Sequence, residues 1–188
     1  MRKLIVFNHM SLDGYFVDAH NDMSFANNAK KDPQWDEFVA GNAAGRGSFV
    51  FGRVTYEFMA AFWPTPAAIE SMPAVAAKMN NSPKVVFSRT LKQAAWKNTQ
   101  LLQGDLADEI RRLKAAPGEG MVIFGSGTIV SQLTQARLID EYQLIVDPIV
   151  LGQGRTMFAG STGNLPLKLV ETRPFANGNV LLRYEPEA

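Results

Sequence analysis

Apolar runs alternate with amphipathic segments along the first three quarters of the chain. Runs rich in β-branched and aromatic residues predict strands at 3–10, 47–52, 83–90, 98–103 and 120–125. Apolar residues at helical spacing predict helices between them, at 34–44, 53–63, 105–116 and 128–138. The helix at 105–116 is the clearest, because Leu106, Ile110 and Leu113 recur on one face.

The last 50 or so residues carry predicted strands without helices between them. A long strand is predicted at 140–152, bent at Pro148, and two more at 167–175 and 179–185. Asn177-Gly178 is typical of a tight hairpin turn between the last two. Strands separated by helices form a mostly parallel sheet, and a hairpin is antiparallel. We therefore expect one α/β domain over residues 1–188, with a mostly parallel central sheet flanked by helices and an antiparallel C-terminal hairpin.

Composition narrows the function classes. The chain has 188 residues, of which 46% are hydrophobic, which is enough for one sizeable core. Its formal net charge of +1 gives no electrostatic signal for nucleic acid, and no apolar stretch approaches the roughly 20 residues of a membrane span. There is no cysteine, and two histidines alone do not make a usual zinc site, so no metal is expected. Lacking signal-peptide features, the chain is predicted to be cytoplasmic.

Three predicted strands end in residues that suit an anion. Residues 125–128, Gly-Ser-Gly-Thr, lie between a strand and a helix, where free N–H groups and the helix dipole favour phosphate. Residues 52–55, Gly-Arg-Val-Thr, repeat this arrangement, and Ser88-Arg89 ends a third strand with groups that suit a phosphomonoester. Each segment alone is equally explained by a turn or an exposed strand end. The three together favour a nucleotide site.

These segments resemble a known family. FGRVTYE, residues 51–57, resembles the Gly-Arg-x-Thr-Tyr/Trp-Glu motif of dihydrofolate reductases, and VVFSRT and VIFGSGTIVSQL resemble later strands of that fold. KLIVFNHMSLDGYF, 3–16, and DEYQLIVDPIVLGQGRTMF, 140–158, resemble stand-alone relatives of the reductase domain of bacterial bifunctional riboflavin deaminase-reductases. The resemblance extends from Arg2 to about Tyr184.

The resemblance implies a dihydrofolate reductase-like fold and NADPH as cofactor. It implies phosphate contacts by residues 52–55, a contact of Ser88-Arg89 with the adenosine 2′-phosphate, and a pyrophosphate site at 125–129. The residues it implies for cofactor binding are Gly52, Arg53, Thr55, Ser88, Arg89, Gly125, Ser126, Gly127, Thr128 and Ile129. It also implies a homodimer formed through the sheets, with the apolar strand YQLIVDPIVL, 142–151, as a compatible interface.

Candidates for the proton donor are two aspartates. Asp13 matches the Ser-x-Asp-Gly element of riboflavin-type reductase domains. Asp36, counted back from Gly52, falls where dihydrofolate reductases place their pterin-binding carboxylate. A turn residue and a first-turn helix acid explain these two aspartates equally well.

The substrate side is sought on the first strand and in the loop 151–158. Asn8 and His9 face opposite sides of the strand, so one of them can line a pocket, although a strand histidine is more often a structural hydrogen-bonder. The loop resembles the one near the substrate in riboflavin-type reductases. The predicted substrate-binding residues are Asn8, Gly152, Gly154 and Arg155.

We therefore predict a reductase that transfers a hydride from NADPH to a small heterocyclic substrate, as in the 5-amino-6-(5-phosphoribosylamino)uracil reductase of riboflavin biosynthesis. The zinc deaminase domain of the bifunctional enzymes needs cysteines that this chain lacks. Three alternatives stay open: a dihydrofolate or pterin reductase, a non-catalytic nucleotide-binding protein, and a structural or partner-binding protein.

Overall fold

The computed structural model describes residues 1–27, 30–45 and 47–187, and for residues 43 and 44 the backbone only. The strands are β1 Leu4–Ser11, β2 Tyr15–Asp18, β3 Ser48–Gly52, β4 Lys84–Phe87, β5 Thr99–Leu102, β6 Met121–Phe124, β7 Glu141–Asp147, β8 Gly154–Thr156, β9 Leu167–Pro174 and β10 Val180–Pro186. The helices are α1 Pro33–Ala44, α2 Arg53–Phe62, α3 Pro66–Ser71, α4 Pro73–Asn81, α5 Leu106–Ala115 and α6 Gly127–Gln135.

An eight-stranded sheet organises the chain, in the order β5-β4-β3-β6-β1-β7-β10-β9. All neighbours from β5 to β7 pair in parallel, and β10 is antiparallel to both β7 and β9. The predicted α/β fold with a mostly parallel sheet and an antiparallel C-terminal hairpin is confirmed. The parallel strands bring the carboxyl ends of β1, β3 and β6 to one edge, where open α/β sheets bind ligands.

Strand β1 carries different residues to the two faces of the sheet. Leu4 and Val6 are fully buried in the same core cluster as Ile110 of α5. Phe7, on the opposite face, has its ring centroid 6.3 Å from that of Phe38 in α1. This period of two places Asn8 and His9 on opposite faces, as the sequence predicts.

Two features of the C-terminal third differ from the prediction. Strand β7 ends at Asp147 rather than continuing to 152, because Pro148 has no N–H for the ladder and Ile149 N–H turns back to the Asp147 carbonyl. The β9–β10 turn is not a two-residue turn: Gly178 N–H donates to Phe175 C=O, and Phe175 N–H donates to Asn179 C=O. Gly178, at φ 96°, closes this three-residue loop in the way a Gly bulge does.

A separate two-stranded ribbon, β2 with β8, was missed by the sequence prediction. It joins residues just after β1 to the loop before β9, with Val17 opposite Arg155 and Asp18 opposite Gly154. The strands crowd closely, since a Cβ on Gly154 would lie 2.2 Å from the Val17 carbonyl oxygen. The ribbon therefore requires glycine at position 154.

Candidate active site

A cleft of about 540 Å³ opens at the carboxyl ends of β1, β3 and β6. Its walls come from these strand ends, from the first turns of α2 and α6, and from the ribbon and the loop that follows β2. The described residues that line it are Phe7, Asn8, His9, Phe16, Val17, Asn21, Met23, Ala26, Asn27, Gly52, Arg53, Val54, Thr55, Phe58, Met59, Phe87, Phe124, Gly125, Ser126, Gly127, Thr128, Ile129 and Arg155.

The turn between β6 and α6 forms the floor of this cleft. Gly125 and Ser126 both adopt left-handed backbone conformations, with φ of 56° and 60°. Gly125 N–H donates to Asn8 Oδ1 at 2.6 Å, and Ser126 N–H donates to Thr55 Oγ1 at 3.1 Å. The Ser126 hydroxyl donates to Thr55 Oγ1 at 3.0 Å and accepts Gly52 N–H at 2.7 Å. These bonds, from residues of β1, β3 and α2, hold the strained turn in place.

Two helix N-termini point to the same place. Both α6 and α2 lack a side-chain cap, and the 2.7 Å bond from Gly52 N–H to Ser126 Oγ joins their starting residues. The first N–H groups of a helix have no acceptor within the helix, and the helix dipole places partial positive charge there. The amides that begin α6, from Gly127 to Ile129, lie in the cleft wall. Such an arrangement favours a phosphate group.

Glycine is required where the chain comes closest to the cleft wall. A Cβ on Gly127 would lie 2.8 Å from the ring of Phe16, which is itself buried. A Cβ on Gly125 would lie 3.0 Å from the Thr55 side chain, at a φ that side chains rarely adopt. The cleft therefore has a narrow waist between the ribbon and the start of α6.

Two arginines and several aromatic rings complete the lining. Arg53 forms an ion pair with Glu57 on α2 at 2.8 Å, and Arg155 on β8 lies over the Phe16 ring at 5.9 Å. On the far side, the ring centroids of Phe7 and Phe124 are 5.5 Å apart. The cleft thus combines cationic groups with an aromatic wall suited to a flat ring.

His9 forms a pair with Asp147 that no sequence pattern predicts. Its Nδ1 lies 2.9 Å from Asp147 Oδ2 and 3.2 Å from Oδ1. The Asp147 side chain is only 1% exposed, whereas that of His9 is 16% exposed and lines the cleft. Because β1 and β7 pair in parallel, with Ser11 opposite Asp147, the two side chains share one face of the sheet. Asn8 and not His9 was predicted to line the pocket, and the carboxylate partner of His9 is 138 residues away along the chain.

The structure brings together most of the predicted site residues, for cofactor and substrate alike, and separates others. Those that line the cleft are Asn8, Gly52, Arg53, Thr55, Gly125, Ser126, Gly127, Thr128, Ile129 and Arg155. Those that are not among the lining residues are Asp13, Asp36, Ser88, Arg89, Gly152 and Gly154. Gly154 has its place in the ribbon, as described above.

Asp13 and Gly152 hold two loops to each other. The exposed Asp13 carboxylate accepts N–H from Gly152 at 2.7 Å and from Leu151 at 3.1 Å. Interaction with the Ser11 hydroxyl, together with these amides, holds the pKa of Asp13 below its usual range. Asp36 is also exposed, and its place in the first turn of α1 suits an acidic residue at a helix N-terminus.

Ser88 and Arg89 follow β4 at the same edge of the sheet. The Ser88 hydroxyl accepts N–H from Leu91 at 2.8 Å and from Thr90 at 3.2 Å, so it organises its own loop. Arg89 is exposed. Phe87, the last residue of β4, lines the cleft, so Ser88 and Arg89 follow directly after a lining residue.

A second hollow, of about 660 Å³, lies between α2, α4 and the segment 91–97. Its polar groups satisfy one another: Trp96 N–H donates to the Tyr56 hydroxyl at 2.9 Å, and Trp96 Nε1–H to Asn80 Oδ1 at 2.8 Å. The cleft is the better candidate, because unpaired helix amides converge there.

Two further findings concern the described residues as a group. They contain no set of three or more acidic or histidine side chains placed to bind a metal ion. None of their helices combines the length and the apolar character needed to cross a lipid bilayer.

The parallel sheet, with its β3–α2 and β6–α6 turns meeting in one cleft, defines an α/β protein of the dihydrofolate reductase-like class. Within that class, the chain belongs to the RibD C-terminal domain family, whose model matches residues 2–181. The predicted resemblance is confirmed.

Three solved structures share this fold. The "Putative riboflavin biosynthesis protein" from Shewanella sp. PV-4 has a TM-score of 0.79 and 22% identity, with 99% of each chain covered. The diaminohydroxyphosphoribosylaminopyrimidine deaminase/5-amino-6-(5-phosphoribosylamino)uracil reductase from Thermotoga maritima has a TM-score of 0.68 and 14% identity, with 99% of this chain and 57% of that chain covered. Dihydrofolate reductase from Enterococcus faecalis, in a complex with NADP(H), has a TM-score of 0.65 and 16% identity over 99% and 97% of the chains. At these identities the three neighbours show the fold.

Proposed function

We propose that the protein is an NADPH-dependent reductase that transfers a hydride to a small heterocyclic substrate. The observation that carries this proposal is the meeting of two uncapped helix N-termini at a rigid glycine turn inside an aromatic-walled cleft. Residues 1–188 act as a single domain in this proposal. The complex of the Enterococcus faecalis neighbour with NADP(H) supports the choice of a nicotinamide cofactor.

The residues present fit such a cofactor. The amides of Gly127, Thr128 and Ile129 would hold its pyrophosphate, with Gly52, Arg53 and Thr55 on the opposite side of the turn. Ser88 and Arg89 would meet the adenosine 2′-phosphate beyond Phe87. When bound, the cofactor supplies the hydride, and the protein orients it, excludes water and manages one proton.

The substrate would lie on the β1 and ribbon side of the cleft. The Phe7–Phe124 wall accommodates a flat ring, and Arg155 suits a phosphate or another anionic substituent. The name of the Thermotoga maritima neighbour supports a ribosylamino-uracil as the model substrate. Asn8 has both ends of its amide occupied, by Gly125 and by the Met157 sulfur at 2.8 Å, so it would position the turn beside the substrate. Gly152 and Gly154 would shape the loop and the ribbon around it.

The assignment of Asp13 and Asp36 as proton donors stays a prediction. Both lie outside the described lining of the cleft, and Asp13 is engaged with two loop amides. Location in the cytoplasm also stays a prediction.

We also propose a homodimer. Of the strand predicted for its interface, Tyr142 and Ile145 are buried in the chain's own core, whereas Ile149 and Val150 are exposed. Leu12, whose N–H donates to the Ile149 carbonyl, is exposed beside them. Light scattering should report twice the 20.7 kDa chain mass at micromolar concentration, and Val150→Glu should shift it to the monomer. A monomeric wild type would contradict the dimer.

The experiment that tests the proposed function is a fluorescence titration with NADPH and, separately, with NADH. Trp35 lies 5.8 Å from His9 between ring centroids, so it is expected to report on the cleft, and Trp35→Phe should remove most of the signal. We expect saturable quenching, tighter for NADPH than for NADH. Binding without oxidation of NADPH by 5-amino-6-(5-phosphoribosylamino)uracil or dihydrofolate would support the non-catalytic alternative, and no binding of either cofactor would overturn the proposal.

A further inference from the structure

We propose that His9 is the proton donor of the reduction and that Asp147 is its positioning residue. This inference rests on the proposed function and deepens it, because it names the group that completes the hydride transfer. It also defines the substrate class as flat compounds whose reducible C=N or C=O bond can reach His9.

The geometry resembles that of histidines used in acid–base chemistry. Asp147 is buried, and both of its carboxylate oxygens lie within 3.2 Å of His9 Nδ1. A buried carboxylate is stabilised by a donor, so Nδ1 is the protonated nitrogen facing it. The other ring nitrogen, Nε2, makes no hydrogen bond to the part of the chain that the structure describes. The pair therefore leaves one nitrogen of a cleft-lining residue available to a ligand.

Packing fixes the ring in this orientation. The His9 ring meets Phe7 edge-on at 6.1 Å and Trp35 edge-on at 5.8 Å between centroids. Holding a catalytic group in one rotamer by packing and by a buried partner is how active sites achieve preorganisation.

The proposed step balances as follows. The substrate carbon accepts a hydride from the reduced nicotinamide, and the π pair of its C=N or C=O bond moves onto nitrogen or oxygen. That atom takes the proton from Nε2 of the imidazolium, and the N–H bonding pair remains on the ring. Asp147 stays ionised throughout and stabilises the imidazolium, and water returns the proton after the product leaves.

Few charged residues of the described chain lie near His9. Asp147 of β7 contacts it directly, while β1 and α1 present the apolar rings of Phe7 and Trp35. Arg53 and Arg155 line the same cleft. Asp147 is therefore the residue to change in testing how the His9 ring is positioned.

The test compares three variants. His9→Asn keeps a donor for Asp147 but has no transferable proton, and His20→Asn, at the exposed second histidine, is the matched control. With NADPH and either 5-amino-6-(5-phosphoribosylamino)uracil or dihydrofolate, we expect His9→Asn to lower kcat about 100-fold or more, within the ordinary range of general acid catalysis. Its Kd for NADPH should change less than about 3-fold, and His20→Asn should behave as wild type.

The third variant separates positioning from folding. Asp147→Asn removes the carboxylate that accepts the Nδ1 proton, so we expect kcat to fall about 10-fold or more while the Kd for NADPH changes less than about 3-fold. A merely structural loss would lower NADPH affinity and the melting temperature together with kcat. Asp147→Glu, with its carboxylate retained, should recover part of kcat, and no recovery would contradict the positioning role.

A spectroscopic measurement gives an answer independent of turnover. In protein labelled with ¹⁵N-histidine, His20→Asn leaves a single ring, that of His9, whose Nδ1 should stay protonated because it faces Asp147. A neutral ring protonated at Nε2 alone, an unchanged rate in His9→Asn, or no reduction of either compound by a wild type that binds NADPH would overturn the inference. Failure to bind NADPH would instead remove the proposed function on which it rests.

Discussion

Strands β6 and β4 both end in a polar turn at the same edge of the sheet, yet their polar groups are used differently. After β6, Gly125 and Ser126 are bound by groups from β1, β3 and α2, and the following helix amides stay unpaired. After β4, the Ser88 hydroxyl accepts N–H groups of Thr90 and Leu91 in its own loop. The first turn is fixed by its neighbours and leaves donors for a ligand, whereas the second fixes itself.

The comparison shows how a turn that can bind a ligand differs from a turn that only shapes its own loop. Both contain small hydroxyl residues after a buried strand, so the hydroxyl residues do not separate them. What separates them is the origin of their hydrogen-bond partners, which come from distant elements in one case and from the next three residues in the other. We expect mutations at β6 to affect cofactor binding strongly and those at β4 to affect it weakly.

The largest effect is expected from Gly127→Val. Its branched side chain must enter the space held by the Phe16 ring, so we expect a loss of about 1–3 kcal/mol in the free energy of unfolding and no measurable NADPH binding. Denaturant melts and the fluorescence titration measure both. Gly41→Ala is the matched control, since Gly41 of α1 has open space around its Cβ and should gain stability. Normal NADPH binding by Gly127→Val would contradict the narrow waist of the cleft.

Next comes the pair Ser126→Ala and Ser126→Gly. Both lose the hydroxyl that accepts Gly52 N–H and donates to Thr55, which costs about 1–3 kcal/mol where an amide is left unpaired. Only glycine is relieved of the left-handed backbone penalty, so Ser126→Gly should be about 1–2 kcal/mol more stable than Ser126→Ala. Urea melts of the two variants measure this difference. Equal stabilities would show that the left-handed conformation carries no cost here.

A smaller effect is expected from Arg89→Ala. Losing one exposed charge-assisted contact should weaken NADPH binding about 3- to 10-fold, which corresponds to at most about 1.4 kcal/mol, and leave NADH binding unchanged. Arg111→Ala, at an exposed arginine of α5, is the control. A 100-fold or larger loss of NADPH affinity would contradict the contrast between the turns after β4 and β6. An equal loss of NADH affinity would exclude a contact with the 2′-phosphate.

The smallest effect is expected from Asp13→Asn, at an exposed carboxylate that joins its turn to the loop at 151–152. The folded pKa of Asp13 lies below its unfolded value, so its ionised form adds stability above the unfolded pKa, and this stability is lost as pH falls through the folded pKa. Thermal melts from pH 7 down to pH 3 should show a slightly lower Tm for the variant at neutral pH and convergence with wild type in acid. A large loss of kcat at unchanged Tm would restore Asp13 as a catalytic candidate.

The sheet was predictable because its signals are local. Apolar runs such as 120–125 identify buried strands. Helix α1 begins after Asp32, whose Oδ1 accepts Gln34 N–H at 2.9 Å, and an aspartate followed by proline is typical of a helix start. The ribbon was not predictable, since β2 has four residues, β8 has three, and their pairing spans 138 positions. The three-residue hairpin loop was missed because Asn-Gly suits both turn types.

The parts of the candidate site that are formed by backbone groups were predictable. Glycines at strand ends point to close approach and to free amides, and those positions line the cleft. The side-chain chemistry was harder to predict, because a carboxylate acts through what it contacts. Asp13 has a recognisable sequence context but contacts loop amides, whereas Asp147 sits in an apolar strand and contacts His9. The local sequence does not show which of these two aspartates contacts a residue that lines the cleft.

The β2–β8 ribbon divides the cleft into parts with different freedom to vary. The floor of the cleft belongs to the eight-stranded sheet, where a change in a turn would disturb several parallel strands at once. Its opposite wall, with Phe16, Val17 and Arg155, belongs to a two-strand unit whose pairing is independent of the main sheet. Under the proposed function, the ribbon can change to suit a new substrate while the turns that would bind the cofactor stay the same. The two sides of the cleft can in this way vary separately.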